Sequence, residues 1–190
     1  MITPTKITNY HRTYRQLQEF FVFCICVAGK NADQTARKVN ALFKEKEFWK
    51  CMDNYPLEEN GLWEFTMHDL LVRHRIGQYH RVARILRASV GIALDFVTVD
   101  ELLAVPGIGP KTACFYLLHS RPNQELVVID THLLKFYNRE MGESKSKPPT
   151  KWLDYSNLGR EIANIIKNKF PKMTLAEADL KIWMAYSGRA

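Results

Sequence analysis

The sequence predicts an all-α protein. Apolar residues recur at three- and four-residue spacing through most of the chain, and capping residues stand where those periodic runs begin. Only one run, Gln124 to Ile129 (QELVVI), has a strand-like character. No internal repeat or low-complexity tract breaks the pattern.

Tyr14 to Val27 is apolar enough for a central helix, and AGKNAD breaks it. Asp33 is placed to cap a second helix running from Gln34 to Met52, with Ala36, Val39, Leu42 and Phe43 on one face. A Pro- and Gly-interrupted stretch, Tyr55 to Trp63, precedes a short helix over Met67 to Val72. The next helix lies within His74 to Gly91; Tyr79, Val82, Ala83, Ile85 and Leu86 face inward. Its arginines, with Arg73 and Arg75, form either a solvated face or phosphate contacts.

Thr98 with Glu101 makes a capping box for the helix Val99 to Val105, which Pro106 ends. Gly107 and Gly109 form the connection, Pro110 suits a first helical position, and Lys111 to His119 is the second arm of a helix-hairpin-helix. Gln124 to Ile129 is read as buried extended chain, because Asp130 and Thr131 cap a helix at once. A polar loop (ESKSKPPTK) and an amphipathic helix over Leu153 to Phe170 follow. Thr174 with Glu177 then caps a last helix from Leu175, and Trp152 and Trp183 are read as core.

Composition narrows the function. At 190 residues, with 46% hydrophobic and 12% aromatic residues, the chain can bury one or two cores. Its net charge of +7 favours a polyanionic partner. No apolar run is long enough for a membrane span, and the first sixteen residues lack the apolar core of a signal peptide, so an intracellular protein without membrane contact is expected. Cys24, Cys26, Cys51 and Cys114 show no metal-ligand spacing and are read as reduced, buried thiols.

The turn PGIGPK, from Pro106 to Lys111, carries the chemistry. A nucleotide loop needs the longer GxxxxGK[ST] spacing after a strand, so that reading fails. Two readings stay open: a tight helix–helix turn without ligand, or a site where a DNA phosphate reaches backbone amides left bare by Gly107 and Gly109.

PGIGPKTA is followed by VVIDTH, with Asp130 nineteen residues after Lys111. Together with IGQYHRVARIL, FCICVAGKNADQTARKVNALF and AEADLKIWMAYSGR, these segments resemble the helix-hairpin-helix (HhH-GPD) DNA glycosylase superfamily, endonuclease III group, and its small archaeal-type 8-oxoguanine glycosylase/lyases in particular. The likeness spans residues 15 to 188.

The resemblance implies two helical subdomains with a DNA-binding cleft between them, about 30–130 with the hairpin at 99–119, and about 1–29 plus 131–190. It implies a bifunctional base-excision repair enzyme that flips out and excises an oxidised purine such as 8-oxoguanine. Lys111 becomes the Schiff-base nucleophile and Asp130 the catalytic carboxylate; an exposed phosphate-binding lysine is the plainer reading of Lys111. Gly107, Gly109, Lys30, Asn31, Gly77, Tyr79 and Arg81 become DNA contacts. Thr131 and His132 support Asp130, His132 as a capping or core hydrogen-bond partner rather than a proton shuttle.

Three departures qualify this. Lys30 and Asn31 stand where relatives often carry a glutamine or asparagine that fills the gap left by the flipped base. No cysteine follows Cys114, so no iron–sulfur cluster is expected; the cofactor reading leaves room only for a monovalent cation at the hairpin. The sequence ends at Gly188-Arg189-Ala190, short of relatives that use a C-terminal tail on the base. Double-stranded DNA is the expected partner of a monomer in the cytoplasm or nucleoid, the host cytoplasm if the chain is phage-encoded. Two alternatives remain: a phage-type transferase attaching an amine or amino acid to an activated 5-hydroxymethyl pyrimidine, and a module that only binds DNA.

Overall fold

The computed structural model describes residues 1–53 and 61–188. Most of the expected Tyr55 to Trp63 loop, with Arg189 and Ala190, lies outside the described residues. Those residues form ten α-helices and no strand. The chain divides into two compact units, the first comprising 1–4 and 12–108, the second 5–11 and 109–190.

The first unit holds α1 (Tyr14–Cys26), α2 (Ala32–Leu42), α3 (Lys46–Asp53), α4 (Leu62–Arg73), α5 (Tyr79–Ser89) and α6 (Val99–Ala104). Phe20 through Cys26 are all buried, so the C-terminal half of α1 is apolar on every side and is surrounded. It packs against α2 and α5, while α4 packs against α3 and α5. Each large side chain buried there contributes roughly 1.5–3 kcal/mol. This packing keeps α1 with its sequence neighbours, whereas the expected division placed residues 1–29 with the C-terminal half.

The second unit holds α7 (Pro110–Ser120), α8 (Thr131–Met141), α9 (Trp152–Lys169) and α10 (Leu175–Tyr186). α10 packs on the other three. Residues 109–130 belong here rather than with the first unit, because Cys114, Leu118 and Val127 to Ile129 enter a core built with Leu133, Phe136, Ile162 and Ile182. Gln124 to Ile129, expected as buried extended chain, forms neither helix nor strand; Val127, Val128 and Ile129 are buried, and the Asp130 amide bonds back to the Val128 carbonyl at 2.8 Å. The Tyr155 hydroxyl holds this segment, accepting from the Ile129 amide at 2.7 Å and donating to the Val127 carbonyl at 3.2 Å.

Several boundaries differ from expectation. The cap of α2 is Asn31, whose side chain accepts from the Gln34 amide at 3.0 Å, and Asp33 lies in the first turn. The helix expected over 34–52 breaks at Phe43–Glu45, and Phe43 and Tyr79 are only half-buried. The helix expected over 67–72 extends from Leu62 to Arg73, and α5 begins only at Tyr79, after a turn with positive φ at Arg75, Gly77 and Gln78. Trp152 and Trp183 are half-buried rather than core, and Cys51 is half-buried where the other cysteines are buried. The capping boxes at Thr98 and Thr174 form as read, and a third forms at Thr13.

Candidate active site and nucleic-acid interface

In the second unit, Gly109 is the N-cap of α7 and supplies no side chain to its first amides; Pro110 occupies the first turn. Lys111 follows, half-buried, and its ammonium makes no hydrogen bond or ion pair among the described residues. Gly109 has φ −104°, and a Cβ there would meet nothing within 4 Å. Neither backbone strain nor packing within the chain therefore requires glycine at 109.

Asp130 is the N-cap of α8. Its Oδ1 accepts from the amides of His132 and Leu133, both at 2.8 Å, and the other oxygen has no hydrogen bond among the described residues. The segment 127–129, buried and clamped by Tyr155, delivers Asp130 to this point. The half-buried His132 bonds through Nδ1 to the Tyr186 carbonyl at 3.1 Å, and Thr131 is exposed.

The structure adds a pair that the sequence reading missed. His119, 1% exposed, bonds through Nε2 to Asp179 Oδ2 at 3.1 Å and through Nδ1 to Thr8 Oγ1 at 2.8 Å; Asp179 is 14% exposed. Burial pushes the Asp179 carboxyl above its ordinary range; the bond from His119 opposes this, Asp130 adds to it and Lys111 lowers it. Lys111, Asp130, His119 and Asp179 thus share one electrostatic environment. The missed signal was a charged residue on the buried stripe of α10, between Ala178 and Ile182.

The expected DNA contacts of the first unit are largely occupied. The Lys30 ammonium donates to the carbonyls of Ile76 at 2.8 Å and Gly77 at 3.2 Å, so it ties down the turn before α5. Burial lowers its pKa, and Arg81 and Lys38 add repulsion, while Cys26 opposes the shift. Cys26 itself is pushed up to about 12 by burial. Asn31 is spent on its cap, and the Tyr79 ring meets His68 edge-on at 5.8 Å. Arg81 bonds to Gln78 Oε1 at 2.9 Å and to the Gly107 carbonyl at 3.2 Å. Of the other arginines, Arg73 pairs with Asp69 and Arg87 with Glu64.

Gly107 has φ +96°, and a Cβ there would lie 2.9 Å from Ile85 Cγ1. Both the left-handed backbone and the close approach of Ile85 demand glycine.

A family model described as "Helix-hairpin-helix motif" matches residues 96–113. No curated protein matches the sequence. Among solved structures, the fold is similar to that of a Methanocaldococcus jannaschii 8-oxoguanine glycosylase/lyase, solved in complex with 15mer DNA containing 8-oxoguanine. The match has a TM-score of 0.69 at 18% identity and covers 97% of this chain and 87% of that one. At this identity the likeness establishes the fold. The motif match identifies a helix-hairpin-helix at residues 96–113, and the structural likeness shows an all-helical fold similar to that of the archaeal glycosylase/lyase.

Proposed function

We propose that the chain is a DNA glycosylase with AP lyase activity, with an oxidised purine such as 8-oxoguanine as the excised base. One observation carries the reading: Lys111, half-buried at an uncapped helix start, keeps its amine free of any ion pair among the described residues, in the same unit as a carboxylate with one free oxygen. A lysine needed only for stability would be expected to find a partner there.

Cleavage of an N-glycosidic bond builds positive charge on the sugar, and the free oxygen of Asp130 supports that charge in a site where its orientation is already held by two amides. The Lys111 amine attacks C1′ through its lone pair as the bond to the base breaks, and the base leaves with the electron pair and takes up one proton from the attached nitrogen. The nitrogen lone pair then opens the sugar, O4′ leaving as a hydroxyl with a proton from solvent, to give a protonated imine; loss of a C2′ proton to solvent expels the 3′ phosphate and nicks the strand. The first amides of α7 and the bare Gly109 suit a DNA phosphate. The archaeal protein of similar fold is itself an 8-oxoguanine glycosylase/lyase, which favours the choice of base.

Duplexes carrying 8-oxoguanine, uracil, thymine glycol or an abasic site, incubated with protein and borohydride, test this. The expected result is a trapped covalent adduct with at least one duplex, lost in Lys111→Gln. Absence of any adduct with the wild-type protein overturns the lyase reading. Mass spectrometry finding an amine newly attached to a hydroxymethyl pyrimidine would replace it by base modification.

A further inference from the structure

The cationic side chains on the helices of the second unit fall into two groups. Arg160 bonds to Asn157, Lys167 and Lys169 pair with Glu125 and Glu140, and the Lys181 ammonium lies 5.1 Å from the centroid of the Phe170 ring. Lys111, Lys135 and Arg139 make neither a hydrogen bond nor an ion pair among the described residues.

Lys135 and Arg139 belong to α8, the helix that Asp130 caps. Leu133, Leu134, Phe136 and Tyr137 turn one face of α8 into the core, and the opposite face exposes Thr131, Lys135 and Arg139 at four-residue spacing. No acidic residue stands three or four positions from Lys135 on either side, since Thr131, His132, Asn138 and Arg139 occupy those places. Two like charges at i and i+4 repel, which weakens a helix taken alone. Arg139, in the last turn, gains from the helix dipole, but Lys135 in mid-helix does not. Glu140 is taken by Lys169, and Glu143, four residues beyond Arg139, by Lys145. The stripe is thus left with uncompensated positive charge.

The wider charge balance agrees with this. The second unit holds fourteen lysines and arginines against eight aspartates and glutamates, which is +6 of the net +7, so a polyanion is drawn to this unit. Successive members of the stripe lie one turn apart, about 6 Å along the helix axis. A DNA strand carries one charge per about 3.4 Å of duplex axis, so a strand lying along α8 offers a phosphate to each cation.

We propose that the exposed Thr131–Lys135–Arg139 face of α8 is a phosphate track, on which Lys135 and Arg139 hold the DNA backbone next to the nucleotide that Asp130 acts on. This rests on the reading that the chain acts on DNA.

Fluorescence anisotropy with a labelled duplex carrying an abasic-site analogue, over a series of potassium chloride concentrations, tests it. Lys135→Ala and Arg139→Ala should each lower the slope of log Kd against log salt by about 0.9, and the double variant by about 1.8. Alanine suits an exposed helical position, so the fold should be kept, and the exchange of Lys135→Arg with Arg139→Lys should retain the wild-type slope. Lys172→Ala, which removes an exposed charge between α9 and α10, should also retain it. A wild-type slope in the double variant, or an equal fall in Lys172→Ala, overturns the track while leaving DNA binding intact. No binding by the wild type removes the functional reading and this inference together.

Discussion

The two units use ionisable side chains in opposite ways. In the first, Lys30 bonds to two backbone carbonyls and Arg81 to one, so their charge shapes turns. In the second, Lys111 and one oxygen of Asp130 are left unbonded among the described residues, while the pair His119–Asp179 is buried beside them. The difference teaches that cationic residues in an expected binding region are no guide to contact by themselves: a lysine whose donors are filled by carbonyls supports a surface, and one without a partner is available for chemistry.

The comparison breaks most severely at Asp130. Asparagine caps helices as well as aspartate does, so Asp130→Asn should keep the fold and cost about a hundredfold or more in single-turnover excision. Asp130→Ala should show the same loss of rate and a further fall in stability of about 1 kcal/mol in urea denaturation. Equal activity of Asp130→Asn and wild type would reduce Asp130 to a cap.

Next comes the buried pair. Removing the imidazole in His119→Ala strands Asp179 with little water, and unfolding free energy should fall by about 3 kcal/mol. A fall below about 1 kcal/mol would mean that Asp179 finds another partner.

The glycines sharpen the contrast between support and contact. Gly107→Ala meets Ile85 and a positive φ, and should cost about 2 kcal/mol of stability. Gly109→Ala should leave stability within about 0.5 kcal/mol and weaken duplex affinity, because its Cβ points into open space where a phosphate would sit. Equal DNA affinity in Gly109→Ala and wild type would show that no backbone approaches there.

The smallest effect is in pH. The Asp179 carboxyl is raised in the folded state, so the native chain holds this proton more tightly than the unfolded one. Its contribution to stability is therefore greatest below the unfolded carboxylate pKa of 3.8 and is lost as pH rises through the higher folded value. Asp179→Asn should lack that component, and the wild-type-minus-variant stability should fall with rising pH across this window.

Much of the architecture was legible because it depends on neighbours in sequence. The Thr98–Glu101 and Thr174–Glu177 boxes, Pro110 in the first turn of α7 and the apolar C-terminal half of α1 are local devices, and each appears where the residues put it. Misreadings arose where two local solutions competed. Asn31 and Asp33 can both cap a helix, and Asn31 does so next to an anchored Lys30.

The sequence by itself determined the helical character of the chain, the hairpin turn, and the pairing in one motif of a lysine with an aspartate that caps the following helix. Only the tertiary structure decided which polar side chains remain available. Lys30 finds its carbonyls 46 and 47 residues away, Arg81 reaches Gly107 across 26, and Asp179 meets His119 across 60. A cap is closed by contacts three residues apart and follows from residue type. A long-range hydrogen bond forms only after apolar burial has brought distant helices together, so the identity of its partner is a consequence of packing.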